Sequence, residues 1–374
     1  MGSWLGRIDW STPRYAPRLS KRRRIALIGL TTLLLIAVQC IEYTQTPWPD
    51  PANPEQTRVA RSRLESMACI RAAREAMGIG VDLNLDPNNT GLIGMEYTDL
   101  TSTLGSLSAK RTSLNPQFAG LILSLMRQAG AKRGDRVAIS FSGSFPALNI
   151  AVLAACAELG LNPTIISSVG ASAYGANIPG LTWLDMERIL FEKGKIGYRS
   201  AFASIGGILD TEGGIDGTGI ETALQSIRDH GAPYLDEGKP GKLTADIDRR
   251  MQIYFTGGRP AVFINTGGNI TSLGWVAEAA RLNNGLLRAV PACWSPQRGI
   301  VFRMVEQGVP VIHLLNIERL AARYLLPIAP VPLPSLETIP GKAALKQRTV
   351  RQIFTLGIWL LAAVWLITIS GRSK

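Results

Sequence analysis

The sequence predicts an α/β protein with a mostly parallel, Rossmann-like sheet covered by helices, flanked by one transmembrane helix near each terminus. In the middle of the chain, short apolar runs rich in β-branched residues alternate with segments of helical periodicity. Strands that are apolar on both faces and separated by helix-length crossovers are typical of a parallel sheet buried on both sides. Outside this region, each end of the chain carries one uncharged, apolar stretch.

The N-terminal stretch, Ile25–Ile41, has 17 residues without a charge and directly follows the basic run Lys21–Arg24. A helix of that length reaches roughly 25 Å, which spans a hydrocarbon core when flanking side chains extend to the interface. A cleaved signal peptide is the alternative, but no small residue directly precedes Cys40. We therefore predict a basic cytoplasmic tail over 1–24, an uncleaved transmembrane helix over 25–41 and a proline-rich linker over 42–57.

The soluble α/β domain is predicted over 58–326. Apolar residues three and four apart predict helices over Arg58–Met77, Pro116–Ala129, Pro146–Leu159, Glu221–His230, Leu243–Phe255, Ser295–Val305 and Asn316–Tyr324. Short apolar runs bounded by turn residues predict strands over Arg136–Phe141, Pro163–Ser168, Ala261–Asn265 and Val309–Leu314.

A proline-rich and then basic linker is predicted over 327–352, before a second transmembrane helix over 353–370 and a short tail over 371–374. Basic flanks tend to stay in the cytoplasm, so the N-terminal tail predicts a soluble domain on the outer side of the membrane. Four basic residues of the second linker then lie on that outer side too, which leaves the opposite orientation open. They are Lys342, Lys346, Arg348 and Arg351.

The formal charge of +12 is confined to the two ends of the chain. Residues 1–24 have seven basic residues and one acidic residue, and residues 342–374 have six basic residues and no acidic one, so each end contributes +6. Residues 25–341 then hold 27 basic and 27 acidic residues. A basic domain would attract nucleic acid by releasing its counterions, but this domain is formally neutral. The charge therefore indicates membrane topology, and no nucleic-acid partner is predicted.

The four cysteines and two histidines show no spacing typical of a zinc site, so no metal site is predicted. A disulfide between Cys69 and Cys293 stays open.

Small polar residues follow three of the predicted strands, at the point where each strand ends. Ligands of open α/β sheets bind at this edge, where loops lead into helix N-termini that favour anions. The sequence therefore predicts a polar, anion-tolerant cleft, although Ser, Gly and Asn also serve as ordinary turn and cap residues. The predicted ligand-binding residues of these loops are Ser142, Gly143, Ser144, Ser168, Gly170, Ser172, Thr266, Gly267, Gly268 and Asn269.

Further candidates come from side-chain chemistry. If the protein is a serine hydrolase, Ser142 or Ser144 is the nucleophile and His313 the base. His313 lies in an apolar strand, however, where a core histidine is the more common interpretation. Glu96, Lys110 and Arg111 lie in a polar stretch before the sheet. Lys110 and Arg111 together suit a carboxylate or phosphate, and a surface pair is the alternative. No phosphate-binding loop or dinucleotide motif is present in these loops, so any cofactor stays unknown.

Four motifs carry a family resemblance: Gly94–Thr98, Lys110–Pro116, Ser142–Ala147 and Ser168–Ser172. With them, the stretch from Gly91 to about Asn316 resembles the poly-gamma-glutamate system protein family, membrane-associated proteins encoded with poly-gamma-glutamate synthesis enzymes. The resemblance implies a bacterial inner-membrane protein that takes part in synthesis, export or attachment of this anionic capsule-type polymer. It implies the membrane, poly-gamma-glutamate synthase subunits and the polymer itself as partners, and it assigns no catalytic residue.

Three functions follow as hypotheses. The first is a non-enzymatic accessory subunit that is anchored beside the synthase. The second is an envelope enzyme, a serine-dependent hydrolase or acyl transferase that acts on the polymer. The third is a regulatory module that binds a small anion.

Overall fold

The computed structural model of the chain describes Gly29, Thr31, Thr32 and residues 53–206, 214–215, 217–235 and 242–336. The chain divides into two units, residues 1–47 with 346–374, and residues 48–345. Only three residues of the first unit are described, and the elements below belong to the second.

The helices of this unit, numbered along the described residues, are α1 (Pro54–Ala76), α2 (Leu107–Ser113), α3 (Gln117–Ala129), α4 (Pro146–Leu159), α5 (Trp183–Glu192), α6 (Gly217–His230), α7 (Leu243–Phe255), α8 (Ile270–Leu273), α9 (Ile300–Glu306) and α10 (Ile317–Arg323). The strands are β1 (Thr101–Thr103), β2 (Arg136–Ser142), β3 (Asn162–Ser168), β4 (Ala171–Ser172), β5 (Asn177–Ile178), β6 (Leu181–Thr182), β7 (Phe202–Ser204), β8 (Val262–Thr266), β9 (Gly285–Leu287) and β10 (Val311–Leu314).

The central sheet has the strand order β7-β3-β2-β8-β10-β9. Its neighbours pair in parallel, except that β9 runs antiparallel to β10 at the edge. From β2 the chain moves outward through β3 to β7, and it then returns to the other side of β2 with β8 and β10. The direction of winding therefore reverses between β2 and β8. This confirms the predicted α/β class with a mostly parallel sheet.

Both faces of the sheet are covered. On β2, Val137, Ile139 and Phe141 belong to one buried cluster, and the alternating Ala138 belongs to a second cluster on the opposite face. The first cluster is formed mainly with α1, α3, α4 and α5, and the second with α7 and α9. Since side chains alternate along a strand, continuous apolar strands need this cover on both sides.

Several elements were not predicted from sequence periodicity. They include α2, α5 and the two-residue strands β4 to β6. The strand β4 pairs in parallel with β1 as a small second sheet, in which Thr103 lies opposite Ser172. Pairs of this length have no sequence period, so only the tertiary pairing defines them.

Several predicted boundaries are wrong. Helix α1 begins at Pro54, inside the predicted linker, because Asn53 caps it by accepting a hydrogen bond from the Glu55 amide. Helix α9 begins at Ile300 and not at residue 295, because the chain before it bridges to Gly274 through Arg298. The last strand begins after Pro310, which has no amide proton to donate.

The first residues of the predicted linker over 327–352 belong to the domain and not to a linker. The amide of Ala329 donates to the Thr112 hydroxyl at 2.9 Å, and the Asn88 side chain donates to the Pro330 carbonyl at 2.8 Å. Residues 327–330 therefore pack on the α/β domain.

The two predicted transmembrane segments, 25–41 and 353–370, lie outside the described residues except for Gly29, Thr31 and Thr32. Within the described part of the chain, no helix combines the length and the apolar character needed to cross a membrane. The spans remain predictions.

Cys69 and Cys293 are both free thiols, so the disulfide between them that the sequence left open is not formed.

Candidate functional site

A cavity of about 530 Å³ opens at the carboxyl ends of the central strands, where the winding reverses. Three loops meet there: the one after β2, the one after β3 and the one after β8. Predicted residues from all three line it, namely Ser142, Ser144, Ser168, Gly170, Ser172, Gly268 and Asn269, together with Lys110 from α2. Parallel strands bring their carboxyl ends to one edge of a sheet, and the point of reversal leaves a crevice between the diverging loops.

The loop after β2 is held by its own serines. The Ser144 amide donates to Ser142 Oγ at 3.1 Å, and Ser142 Oγ donates to Ser144 Oγ at 3.0 Å. From α4, the Asn149 side chain donates to the Ser142 carbonyl at 3.0 Å. Gly143 does not line the cavity, because it lies under the loop, where a Cβ would come within 2.5 Å of the Val169 carbonyl oxygen. The loop is therefore held by hydrogen bonds and packs closely against the loop after β3.

The loop after β3 is joined to the first one. The Ser172 amide donates to Ser144 Oγ at 3.0 Å, and the Ala176 amide donates to the Gly143 carbonyl at 2.8 Å. Ser168 Oγ donates to the Phe141 carbonyl at 3.3 Å. Gly170 packs against Ile215, whose terminal carbon would lie 2.9 Å from an added Cβ. The two serine-rich loops thus form one wall of the cavity.

Lys110 extends from α2 into this wall and is only 2% exposed. Its Nζ donates to Ser172 Oγ at 2.7 Å and to the carbonyl of Ser144, and it lies 3.9 Å from the centre of the Phe145 ring. Among the described residues, no carboxylate lies within 4 Å of this ammonium. Burial lowers the pKa of Lys110 to about 7, because the charged form loses its hydration.

The other members of the predicted polar stretch point elsewhere. Arg111 donates to the carbonyl of Leu85 at 2.9 Å and to that of Asn84, so it does not form a clamp with Lys110. Neighbouring residues on a helix project about 100° apart, and only one of the pair therefore faces the crevice. Glu96 is exposed and does not line the cavity.

The predicted base is not beside the predicted nucleophiles. His313 is buried in β10, where its Nδ1 lies 3.0 Å from the side-chain amide of Asn265, and no hydrogen bond joins it to Ser142 or Ser144 in the described residues. Burial lowers the pKa of His313 to about 4. Its position matches the core-histidine alternative.

Two residues at the end of β8 support the crevice from behind. Thr266 and Gly267 do not line the cavity. The hydroxyl of Thr266 is buried without a hydrogen-bond partner in the described structure. Gly267 has φ of +97°, and a Cβ there would approach Ser142 Cβ to 2.8 Å, so only glycine allows this close approach.

Sequence reasoning missed the other residues that line the cavity. These residues belong to the β1–α2 loop, which adjoins the serine wall through the β1–β4 pairing, and to the segments around α8 and α10. They are Ser102, Thr103, Leu104, Gly105, Ser106, Ala109, Ile270, Leu273, Gly274, Ala279, Leu315, Asn316, Ile317 and Glu318. One signal was available, since Ser106 begins α2 as a cap and accepts from the Ala109 amide at 3.1 Å. The pairing of β1 with β4, which brings this loop to the sheet, has no signal in the sequence.

The crevice therefore combines hydroxyl groups, close-packed glycines and one buried amine in a volume suited to a small ligand or the end of a chain. Glu318 is the acidic residue of its lining. Such a site can bind an anion, and a buried amine next to a hydroxyl can also move a proton. Comparison with family models, with curated proteins and with solved structures finds no match for this chain.

Proposed function

We propose that this chain is a membrane-anchored component of a bacterial poly-gamma-glutamate synthesis or export system, acting as an accessory subunit beside the synthase. In this proposal the α/β domain binds a glutamyl segment of the polymer in the crevice between β2 and β8. Three of the four motifs that carry the family resemblance, Lys110–Pro116, Ser142–Ala147 and Ser168–Ser172, contribute residues to that crevice.

The observation that carries the proposal is the buried amine of Lys110, which has no carboxylate partner among the described residues. An ammonium that is nine-tenths or more buried is normally paired with a carboxylate, since the loss of hydration is costly. Here its contacts are a carbonyl, a hydroxyl and an aromatic ring. Lys110 lines the cavity, and its charged form, present in part near neutral pH, favours an anionic ligand there. Poly-gamma-glutamate presents one free α-carboxylate in each unit.

The size of the crevice favours a short segment or a chain end. Small-ligand sites in proteins commonly have volumes of about 300–1,000 Å³. A cavity of about 530 Å³ is in this range and is suited to one to a few glutamyl units. The rest of the polymer would remain in solvent or on a partner subunit.

The wider architecture belongs to the same proposal. The strand order, with its reversal next to the crevice, supports a Rossmann-like topology with the ligand at the switch point. The segments 25–41 and 353–370 would anchor the chain in the inner membrane, with the α/β domain on the outer side. Docking on the synthase would then involve the membrane spans, because residues 25–341 carry no net charge.

The binding test uses the full-length protein in mild detergent and isothermal titration with a trimer of γ-linked glutamate. We expect binding by the natural sequence and at least tenfold weaker binding by Lys110→Met. Lys132→Met is the matched control, since Lys132 is exposed and lies outside the cavity. Equal affinity of all three proteins would contradict the proposal. Equal affinity for the trimer and for inorganic phosphate would instead favour the small-anion regulatory module.

The assembly test is co-purification from native membranes in detergent. We expect poly-gamma-glutamate synthase subunits to elute with the full-length chain and to be lost when residues 353–374 are deleted. Absence of any synthase subunit from the intact preparation would contradict the accessory role.

A further inference from the structure

We propose that Ser172 and Lys110 form a catalytic dyad, in which Ser172 Oγ is the nucleophile and Lys110 Nζ the general base for hydrolysis of a glutamyl amide bond. The inference rests on the proposed function for its substrate, because the same crevice would hold the glutamyl segment. It starts from the 2.7 Å hydrogen bond between the two side chains, both of which line the cavity. A serine paired with a lysine is a known alternative to the serine–histidine arrangement of acyl-transfer enzymes.

The hydroxyl of Ser172 is held from several sides. Its strand β4 is paired with β1, where the Ala173 amide donates to the Thr103 carbonyl at 2.9 Å. Its own amide donates to Ser144 Oγ at 3.0 Å. Gly105 keeps space beside the hydroxyl, since a Cβ at that position would lie 3.2 Å from Ser172 Oγ. A nucleophile needs both properties, a fixed position and an open approach.

Nζ of Lys110 has the geometry of a base toward this hydroxyl. In the neutral amine, one N–H can donate to the Ser144 carbonyl while the lone pair accepts the proton of Ser172. The ring of Phe145, 3.9 Å from Nζ, stabilises the ammonium that forms when the proton is taken up. With its pKa lowered to about 7 by burial, Lys110 is divided between its two forms near neutral pH, which suits a general base.

Charged groups around Lys110 permit the neutral form. Arg111, the next residue on α2, is directed away to backbone carbonyls. Glu318 on α10 lines the same cavity but forms no ion pair with Lys110 within 4 Å. A substrate carboxylate lying directly on Nζ would keep the amine protonated. In this proposal the reactive carbonyl lies at Ser172, and the carboxylate lies toward Gly268 and Asn269, where the charged form of Lys110 attracts it without direct contact.

The reaction balances with water as the only co-reactant. Ser172 Oγ attacks the amide carbonyl carbon, and its proton passes to Lys110 Nζ. The carbon–nitrogen bond then breaks, the leaving amine receives the proton from Lys110, and an ester to Ser172 remains. Water attacks this ester, Lys110 takes the water proton, and the proton returns to Ser172 Oγ as the carbon–oxygen bond breaks. The products are a carboxylic acid and an amine.

Ser172 is preferred over the serines that the sequence suggested. Ser142 Oγ donates to Ser144 Oγ, and Ser144 Oγ also accepts the Ser172 amide. In the described residues, the hydroxyls of Ser142 and Ser144 therefore bond to each other and to backbone amides. Ser172 is the cavity serine whose hydroxyl contacts a titratable side chain in the described residues.

The test measures covalent labelling of the full-length protein in detergent by a fluorophosphonate, a reagent for activated serines, with peptide mapping of the site. We expect labelling at Ser172, with a rate that rises with pH around a midpoint near 7. Lys110→Met and Lys110→Arg should both react at least ~100-fold more slowly, since general-base catalysis typically contributes that much. Ser108→Ala and Lys132→Met, outside the cavity lining, should react like the natural sequence.

The arginine variant separates the dyad from ligand binding. Arginine keeps the positive charge but cannot deprotonate, so Lys110→Arg should still bind the γ-linked trimer while it loses labelling. Thermal unfolding of each variant checks that it is folded. If arginine cannot be accommodated at position 110, Ser172→Ala is the second variant, and it should also lose labelling. No labelling of the natural sequence, labelling at Ser142 or Ser144 instead, or full reactivity of Lys110→Arg would overturn the dyad. Labelling at Ser172 without trimer binding would overturn the proposed ligand and leave the dyad intact.

Discussion

The side-chain amide of Asn265 donates to Nδ1 of His313 across the β8–β10 ladder, over a distance of 3.0 Å. The Asn265 amide also donates to the Gly267 carbonyl at 2.8 Å. Because a carbonyl can only accept, this second hydrogen bond defines which end of the Asn265 side chain carries the NH₂ group. Nδ1 of His313 is therefore an acceptor and the ring is neutral, with its proton on Nε2. This arrangement fixes the end of β8 next to the crevice and gives His313 a structural role.

The neutral state of His313 predicts a loss of stability in acid. Burial lowers its pKa from 6.5 to about 4, so the unfolded chain binds a proton first as the pH falls. The stabilisation is fully present above pH 6.5 and is lost toward pH 4, with about 2 kcal/mol lost between pH 7 and pH 5. Thermal unfolding at both pH values should show a smaller loss in His313→Asn than in the natural sequence. An equal loss in both proteins would contradict this assignment.

Lys110 should cost the protein stability at neutral pH. Its pKa is lowered from 10.5 to about 7, so the unfolded chain binds more protons between these values and stability rises with pH. We therefore compare the free energy of unfolding of Lys110→Met with that of the natural sequence. The difference in favour of Lys110→Met should be about 3 kcal/mol smaller at pH 9.5 than at pH 7. Denaturant unfolding at the two pH values measures this difference, and Lys132→Met, at an exposed position, is the control. A difference that does not change with pH would show that Lys110 is protonated in the folded protein throughout this range.

Gly267 should tolerate alanine less well than another glycine of similar backbone conformation. Its φ is +97°, and an added Cβ would approach Ser142 Cβ to 2.8 Å. Gly134 has φ of +87° but open space around it. Gly134→Ala therefore measures only the cost of placing alanine at positive φ, about 1 kcal/mol. We expect Gly267→Ala to lose about 1–2 kcal/mol more than that in thermal unfolding and to weaken trimer binding by moving Ser142. Equal losses in the two variants would mean that the loop relaxes freely.

Arg63 should be needed for the shape of the crevice although it lies outside it. The buried guanidinium donates to the carbonyls of Ala147 at 3.1 Å, Asn115 and Ser113, and so ties α1 to the end of α2 and the start of α4. Arg63→Met removes three charge-assisted hydrogen bonds from buried backbone carbonyls and should cost about 3 kcal/mol or more in unfolding. Arg61→Met, at an exposed position of the same helix, should change stability by less than about 0.5 kcal/mol. Similar effects of both changes would contradict the role of Arg63.

Local sequence signals accounted for the elements that have a period or a strong boundary. The strands β2 and β3 were predicted within one residue of their ends, because they are continuous apolar runs between turn residues. The helices α3 and α4 were predicted equally closely, since each ends at a glycine with positive φ. The loops after β2, β3 and β8 were also found, because glycine and serine at strand ends are visible without knowing the fold.

The chemistry of the crevice depended on tertiary structure. Lys110 and Ser172 are 62 residues apart and meet only because the two-residue strand β4 pairs with β1. His313, the candidate base for these serines, faces Asn265, because the register of β10 on β8 places those two side chains opposite each other.

Alone, the sequence determined the α/β class, the neutral charge of the central region and the positions of the polar loops, because composition and local periodicity encode these properties. The strand order, the reversal between β2 and β8 and the loss of hydration at Lys110 were decided by the tertiary structure. Each of them depends on which distant segments lie side by side, and burial by those neighbours sets the proton affinity of the amine.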